Sequence, residues 1–152
     1  MFTFSIDLDK TKAFRYAFSV KLWNIESKRY SKNKNVMLDT GAFNTIINKE
    51  FAPLYAKILK GETHVALGGY VGKANYCIIK KMNINGHIIE NIGALAVPFD
   101  GELKYHVLIG ANTINNWKFT ISRQENNLSA TEQRTNYRYC YNSKGQVMSY
   151  QE

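Results

Sequence analysis

A chain of 152 residues with 45% apolar side chains, ten Tyr, eight Phe and two Trp has the length of one domain and ample bulk for a packed core, which excludes a disordered or fibrous protein. The net charge of +8 raises nucleic acid as a partner, but the basic residues are spread over turns and solvent faces, as in "KLWNIESKRYSKNKN" and "RTNYRYCYNSKG", with no basic helix and no nucleic-acid motif. Specific nucleic-acid binding is therefore not expected. Cys77 and Cys140, and His64, His87 and His106, lie too far apart for metal-ligand spacing. No apolar run approaches a membrane span, and "MFTFSIDLDKTKAF" lacks the form of a signal peptide, so a soluble cytoplasmic protein without a metal or organic cofactor is expected.

In chain order, "FTFSIDL" and "AFSVKLWNI" alternate apolar and polar residues with period two and predict strands, separated from a further strand at "VML" by the polar "SKRYSKNKN". "NKEFAPLYAKILKG" is the best helical candidate: Asn48 caps, Phe51, Leu54 and Ile58 share a face, Gly61 stops the helix, and Pro53 keeps it short or irregular. After it, Gly68-Gly69 to Gly72 and Asn85-Gly86 are turn signals flanked by apolar and β-branched residues, predicting a long glycine-tipped hairpin and then a tighter one. "KYHVLIGANTINNWKFTIS" gives a buried strand, a brief helical turn opened at Gly110, and another strand. The tail "YRYCYNSKGQVMSY" reads as a hairpin turning at Asn142 to Gly145. The class is all-β, a single domain with one or two short helices.

The chemistry centres on "VMLDTGAFNTII", residues 36–47. An apolar strand that ends in a carboxylate, followed by a hydroxyl residue and a glycine, suits a tight loop that presents the acid while backbone N–H groups and a hydroxyl fix it. The bland alternative is an ordinary Asx turn.

Over its whole length this stretch resembles the active-site strand and loop of the retropepsin-like aspartic proteases, whose pattern is matched by Met37, Leu38, Asp39, Thr40, Gly41, Ala42, Thr45, Ile46 and Ile47. Downstream, "VALGGYVGKANYC" resembles the family's glycine-rich flap, and "VLIGANTINNW" the apolar-apolar-Gly segment and short helix that pack beside the catalytic loop. The resemblance spans roughly residues 35 to 120. It implies a closed β-barrel-like fold over residues 1–121. The tail, 122–152, has no counterpart in the resemblance and reads as a C-terminal β extension that joins a dimer interface, covers an exposed sheet edge or forms an ordinary surface hairpin. The resemblance also implies the catalytic set Asp39, Thr40 and Gly41, and a substrate-binding set of Ala42, Phe43, Gly68, Gly69 and Tyr70.

Aspartic proteolysis needs two adjacent carboxylates, one ionised to take a proton from water and one protonated to polarise the scissile carbonyl. The other aspartates, Asp7, Asp9 and Asp100, are not followed by Thr-Gly or Ser-Gly. The second carboxylate must then come from a second copy, which implies a C2 homodimer acting on a peptide or protein substrate. Two departures from the viral members occur together: Phe43 and Ala111 replace an acid and an arginine that pair with each other. Losing both partners for apolar groups can be nearly neutral, whereas losing one strands a charge. The competing reading keeps the dimer and groove as a peptide-binding or protein-binding module that does not cut. A third reading is a basic barrel that binds single-stranded nucleic acid through Tyr and Lys.

Overall fold

The computed structural model describes residues 2–10, 15–67, 70–98, 105–132, 137–141 and 147–151. In chain order the strands are β1 (Phe2–Asp7), β2 (Tyr16–Asn24), β3 (Arg29–Tyr30), β4 (Lys34–Leu38), β5 (Thr45–Asn48), β6 (Ala56–Leu67), β7 (Tyr70–Ile84), β8 (His87–Val97), β9 (Val107–Ile109), β10 (Trp117–Ser122), β11 (Asn127–Glu132), β12 (Tyr137–Tyr141) and β13 (Val147–Gln151). Two single-turn helices, α1 (Ala52–Tyr55) and α2 (Ala111–Ile114), interrupt them. The period-two patterns of the sequence thus emerge as strands.

Strand β2 closes the main sheet on itself. Its first half pairs antiparallel with β4 (Tyr16↔Leu38 to Val20↔Lys34), and Lys21 and Leu22 pair with Asn83 and Met82 of β7. The strands β2, β4, β9, β5, β8 and β7 therefore follow one another around a closed barrel, with β6 hydrogen-bonded to β7 outside it. Closure removes sheet edges and gives one enclosed face. Leu22, Val36, Ile47, Ile79, Met82, Ile84, Ile89 and Ile109, none more than 1% exposed, fill that face. Each such burial stabilises by about 1.5–3 kcal/mol. Successive strand residues point to opposite faces, so Ile46 and Leu108, next in sequence to Ile47 and to Ile109, join a second apolar cluster on the other side.

The helix expected over "NKEFAPLYAKILKG" is much shorter than its pattern. Only Ala52–Tyr55 is helical, with Pro53 in the first turn and no side-chain cap at Phe51. Asn48 is the last residue of β5, and its Oδ1 accepts the Glu50 N–H at 3.1 Å. From Ala56 the chain becomes β6, and Gly61 lies in a register irregularity between Ile58 and Glu62. The antiparallel ladder to β7 outweighs a weak local helical preference, and the glycine serves a strand distortion instead of a helix stop.

The tight hairpin stands at Asn85 and Gly86, whose φ values of 49° and 94° are those of the primed turn that asparagine and glycine favour. The tip residues Gly68 and Gly69 of the longer β6–β7 hairpin lie outside the described residues, as does the tail turn at Asn142 to Gly145. The second sheet has β11 between β1 and β10, antiparallel to both, and β12 pairs with β13. No helix among the described residues is long and apolar enough to cross a membrane.

Candidate functional site

Asp39 stands one residue beyond β4. Its N–H donates to the Ile109 carbonyl at 2.9 Å, extending the parallel β4–β9 ladder by one step past Leu38↔Ile109. The side chain is half-buried, and its Oδ1 accepts the Gly41 N–H at 3.2 Å while its own carbonyl accepts the Ala42 N–H at 3.2 Å. The carboxylate is thus aimed by the main chain of its own loop, and the Thr40 side chain is exposed. Gly41 does not adopt a positive φ, and a Cβ there would sit 3.6 Å from Asp39 Oδ1, an ordinary contact. Its N–H, and not its freedom to turn, is what the loop uses.

The loop is clamped from behind by a buried polar lattice around Asn112, a residue that the sequence does not single out. The Thr45 N–H and hydroxyl both donate to Asn112 Oδ1, at 2.6 and 2.9 Å, and the Asn112 amide donates to the Gly93 carbonyl at 2.7 Å. The Thr45 hydroxyl accepts the Gly110 N–H at 3.1 Å. Since its single proton goes to Asn112, the short contact with the Thr113 hydroxyl has Thr113 as donor. These bonds join β5, β8 and α2 beneath the Asp39 loop. Two main-chain bonds complete the joint: Ala111 N–H to the Ala42 carbonyl at 2.7 Å and Asn112 N–H to the Phe43 carbonyl at 2.9 Å.

Such close approach explains Gly110. A Cβ there would fall on the Asn44 carbonyl and within 2.8 Å of the Thr45 nitrogen, both backbone atoms that cannot swing aside. Gly110→Ala is expected to cost about 3 kcal/mol by forcing the two segments apart. A urea unfolding curve with an unchanged midpoint would contradict this close packing.

Of the substrate-binding positions read from sequence, Ala42 is half-buried and Phe43 is 59% exposed, its main chain abutting α2. The chain segments carrying Phe43 and Ala111 are therefore direct neighbours. Tyr70 folds back along its hairpin: its hydroxyl donates to the Lys73 carbonyl at 2.7 Å, and its ring crosses Gly72, where a Cβ would come within 2.9 Å of it. The ring packs against the second apolar cluster. Cys77 is fully buried, and burial pushes its thiol up to about 12, so it is an inert core residue.

His106, beside β9, is stacked on Phe51 with ring centroids 4.2 Å apart, and its Nδ1 is buried without a hydrogen-bond partner among the described residues. Burial, with Lys34 nearby, holds its pKa below the ordinary value against the opposing pull of Glu50. Away from the Asp39 loop, Glu132, 1% exposed, accepts from Trp117 Nε1 at 3.3 Å and bonds His87 Nε2 at 2.9 Å. Phe4 stacks on His87 and meets Trp117 edge-on. This network ties the β1–β11–β10 sheet to the start of β8.

The sequence matches no protein-family model and no curated protein. The structure is similar to the crystal structure of a retropepsin-like aspartic protease from Rickettsia conorii, with a TM-score of 0.52, 17% sequence identity, and coverage of 85% of this chain and 89% of that chain. At that identity the likeness is one of fold. The chain has a mostly-β closed barrel of the retropepsin type with a couple of short helices.

Proposed function

We propose that the chain is an aspartic endopeptidase that works as a homodimer, in which Asp39 and the same residue of a second copy activate the water that attacks the peptide bond. The observation that carries this reading is the placement of Asp39 at a strand end within a retropepsin-type barrel: its main-chain N–H donates to the Ile109 carbonyl, and its half-buried carboxylate accepts the Gly41 N–H. Thr40 braces the two loops against each other, and Gly41 holds the carboxylate. Ala42 and Phe43 from the loop, and Gly68, Gly69 and Tyr70 from the hairpin, face the peptide. With Phe43 and Ala111 in place of an ion pair, the adjoining subsite is apolar. Residues 1–121 form the catalytic unit, and the stretch 122–152 contributes to the dimer. Two Asp39 side chains at a two-fold axis would share one proton, because like charges so close cannot both ionise; this is the handling of paired carboxylates already known for aspartic proteases.

The testing experiment is cleavage of a peptide library by the purified chain at several pH values beside an Asp39→Asn control. Because each protomer supplies one carboxylate, specific activity is expected to fall on dilution through the dimer dissociation constant. A fully active monomer in analytical sedimentation would contradict the two-carboxylate mechanism.

A further inference from the structure

Strand β1 is paired along one side alone. The Leu8 N–H donates to the Asn126 carbonyl at 2.7 Å, one step past the Asp7↔Asn127 pair. In the alternation of an antiparallel ladder, Phe4, Ile6 and Leu8 therefore turn their main-chain groups toward β11, and Ser5 and Asp7 turn theirs away. Among the described residues no strand pairs with that outer edge. It meets the barrel at two points: the Asp9 N–H donates to the Ala17 carbonyl of β2 at 2.8 Å, and the Asn85 side-chain amide, at the β7–β8 turn, donates to the Ser5 carbonyl at 2.7 Å. Between these points the two strands stand apart. The gap is an open groove of about 740 Å³, lined by residues 5–9 on one side and 17–21 on the other. That volume lies within the roughly 300–1,000 Å³ typical of ligand clefts.

Strand β2 offers the groove a matching edge. Ala17 turns its carbonyl away from β4, so Ser19, two residues on, turns its main chain the same way before Lys21 pairs with Asn83 of β7. No described strand pairs with Ser19 on that side. Both walls thus present main-chain donors and acceptors, and Asn33 and Asn35, whose amides do both, line the same space. An extended polypeptide carries the complementary alternation of N–H and C=O, and adding a strand to an open edge is a recurring mode of peptide recognition. The charge is local and opposite to that of the molecule: Asp7 and Asp9 line the groove with Lys21 as its one cation, in a chain of net charge +8. We propose that this groove docks a short extended segment of a partner protein that carries Lys or Arg, its main chain pairing with Ser5 and Asp7 of β1 and Ser19 of β2. The groove shares no residue with the Asp39 loop, so its occupancy is independent of whether the chain cuts peptides.

The test uses the full chain carrying Asp39→Asn, so that no probe is cut, and two fluorescent pools of unstructured hexapeptides, one with Lys at alternate positions and one with Glu there. Anisotropy is expected to show the Lys pool binding about tenfold more tightly than the Glu pool, because like charges brought together oppose association. Asp7 is exposed, so Asp7→Asn keeps the fold, and it should weaken the Lys pool by about threefold, the worth of an exposed ion pair. Amide hydrogen exchange locates the site. In the free protein the Ser5, Asp7 and Ser19 amides should exchange rapidly, and those of Ile6 and Leu8, turned to β11, slowly. A saturating Lys peptide should slow the first three by about tenfold or more and leave the other two unchanged. Slow exchange of those three before peptide is added would overturn the proposal, by showing that the edges are already covered. Failure of both pools to bind, equal binding by the two, or affinity untouched by Asp7→Asn would overturn it as well. So would protection that falls on Gly41 and Ala42 of the Asp39 loop instead of on the groove.

Discussion

Asp39→Asn is expected to lower kcat/KM by about a thousandfold or more while leaving fold and dimer intact. The loss follows from proton transfer: an amide can neither take a proton from water nor pass one to the scissile carbonyl, and positioned acid–base groups each contribute about 10²–10⁴ in rate. Integrity follows from geometry. Asparagine keeps an oxygen where Asp39 Oδ1 accepts the Gly41 N–H, and the Ile109 and Ala42 bonds use only main-chain atoms of residue 39. Circular dichroism and sedimentation should therefore match the wild type while cleavage disappears. Cleavage by the purified variant at the wild-type rate would end the aspartic-protease reading. Retained peptide binding by a wild-type chain that never cuts would favour the binding module instead.

How much of this was legible in the sequence depended on whether the signal was local. Asp39, Thr40 and Gly41 form a contiguous motif, and Asn85-Gly86 carries its turn geometry in two residues. Gly110 was read as the opening of a helical turn, and it does precede α2, but the reason for glycine is the backbone of residues 44 and 45 pressed against it. Asn112 carries no local signal, because its partners, Thr45 and Gly93, are remote in sequence, and nothing near it marks an asparagine as buried. The helix at Phe51, Leu54 and Ile58 was over-extended for the complementary reason. Three apolar residues at helical spacing described a local possibility, and pairing of β6 with β7 decided the outcome. Glu132 was the least legible, since a lone glutamate in a polar tail reads as solvated until β11 is known to lie between β1 and β10.

That glutamate supports the second large effect. Glu132→Ala is expected to destabilise the fold by about 3–5 kcal/mol, the usual consequence of removing one member of a buried polar or ionic pair. His87 Nε2 and Trp117 Nε1 would lose their acceptor where both residues are less than a tenth exposed, and each stranded group carries its own desolvation cost. Glu132→Gln should cost less, because one carbonyl oxygen remains to accept from one of them. The discriminating variant combines Glu132→Leu with His87→Phe. It removes both ends of the short bond together, and a phenyl ring at 87 can keep the stacking on Phe4, whose centroid lies 4.6 Å away. The 3.3 Å bond from Trp117 is left unmet, but the short charged bond is removed at both ends, so the double variant should recover most of the loss seen in Glu132→Ala. Urea midpoints at constant m-value measure all three. If the double variant is as unstable as Glu132→Ala, the network holds the β1–β11–β10 sheet to the barrel by a specific geometry that shape and apolarity alone do not replace.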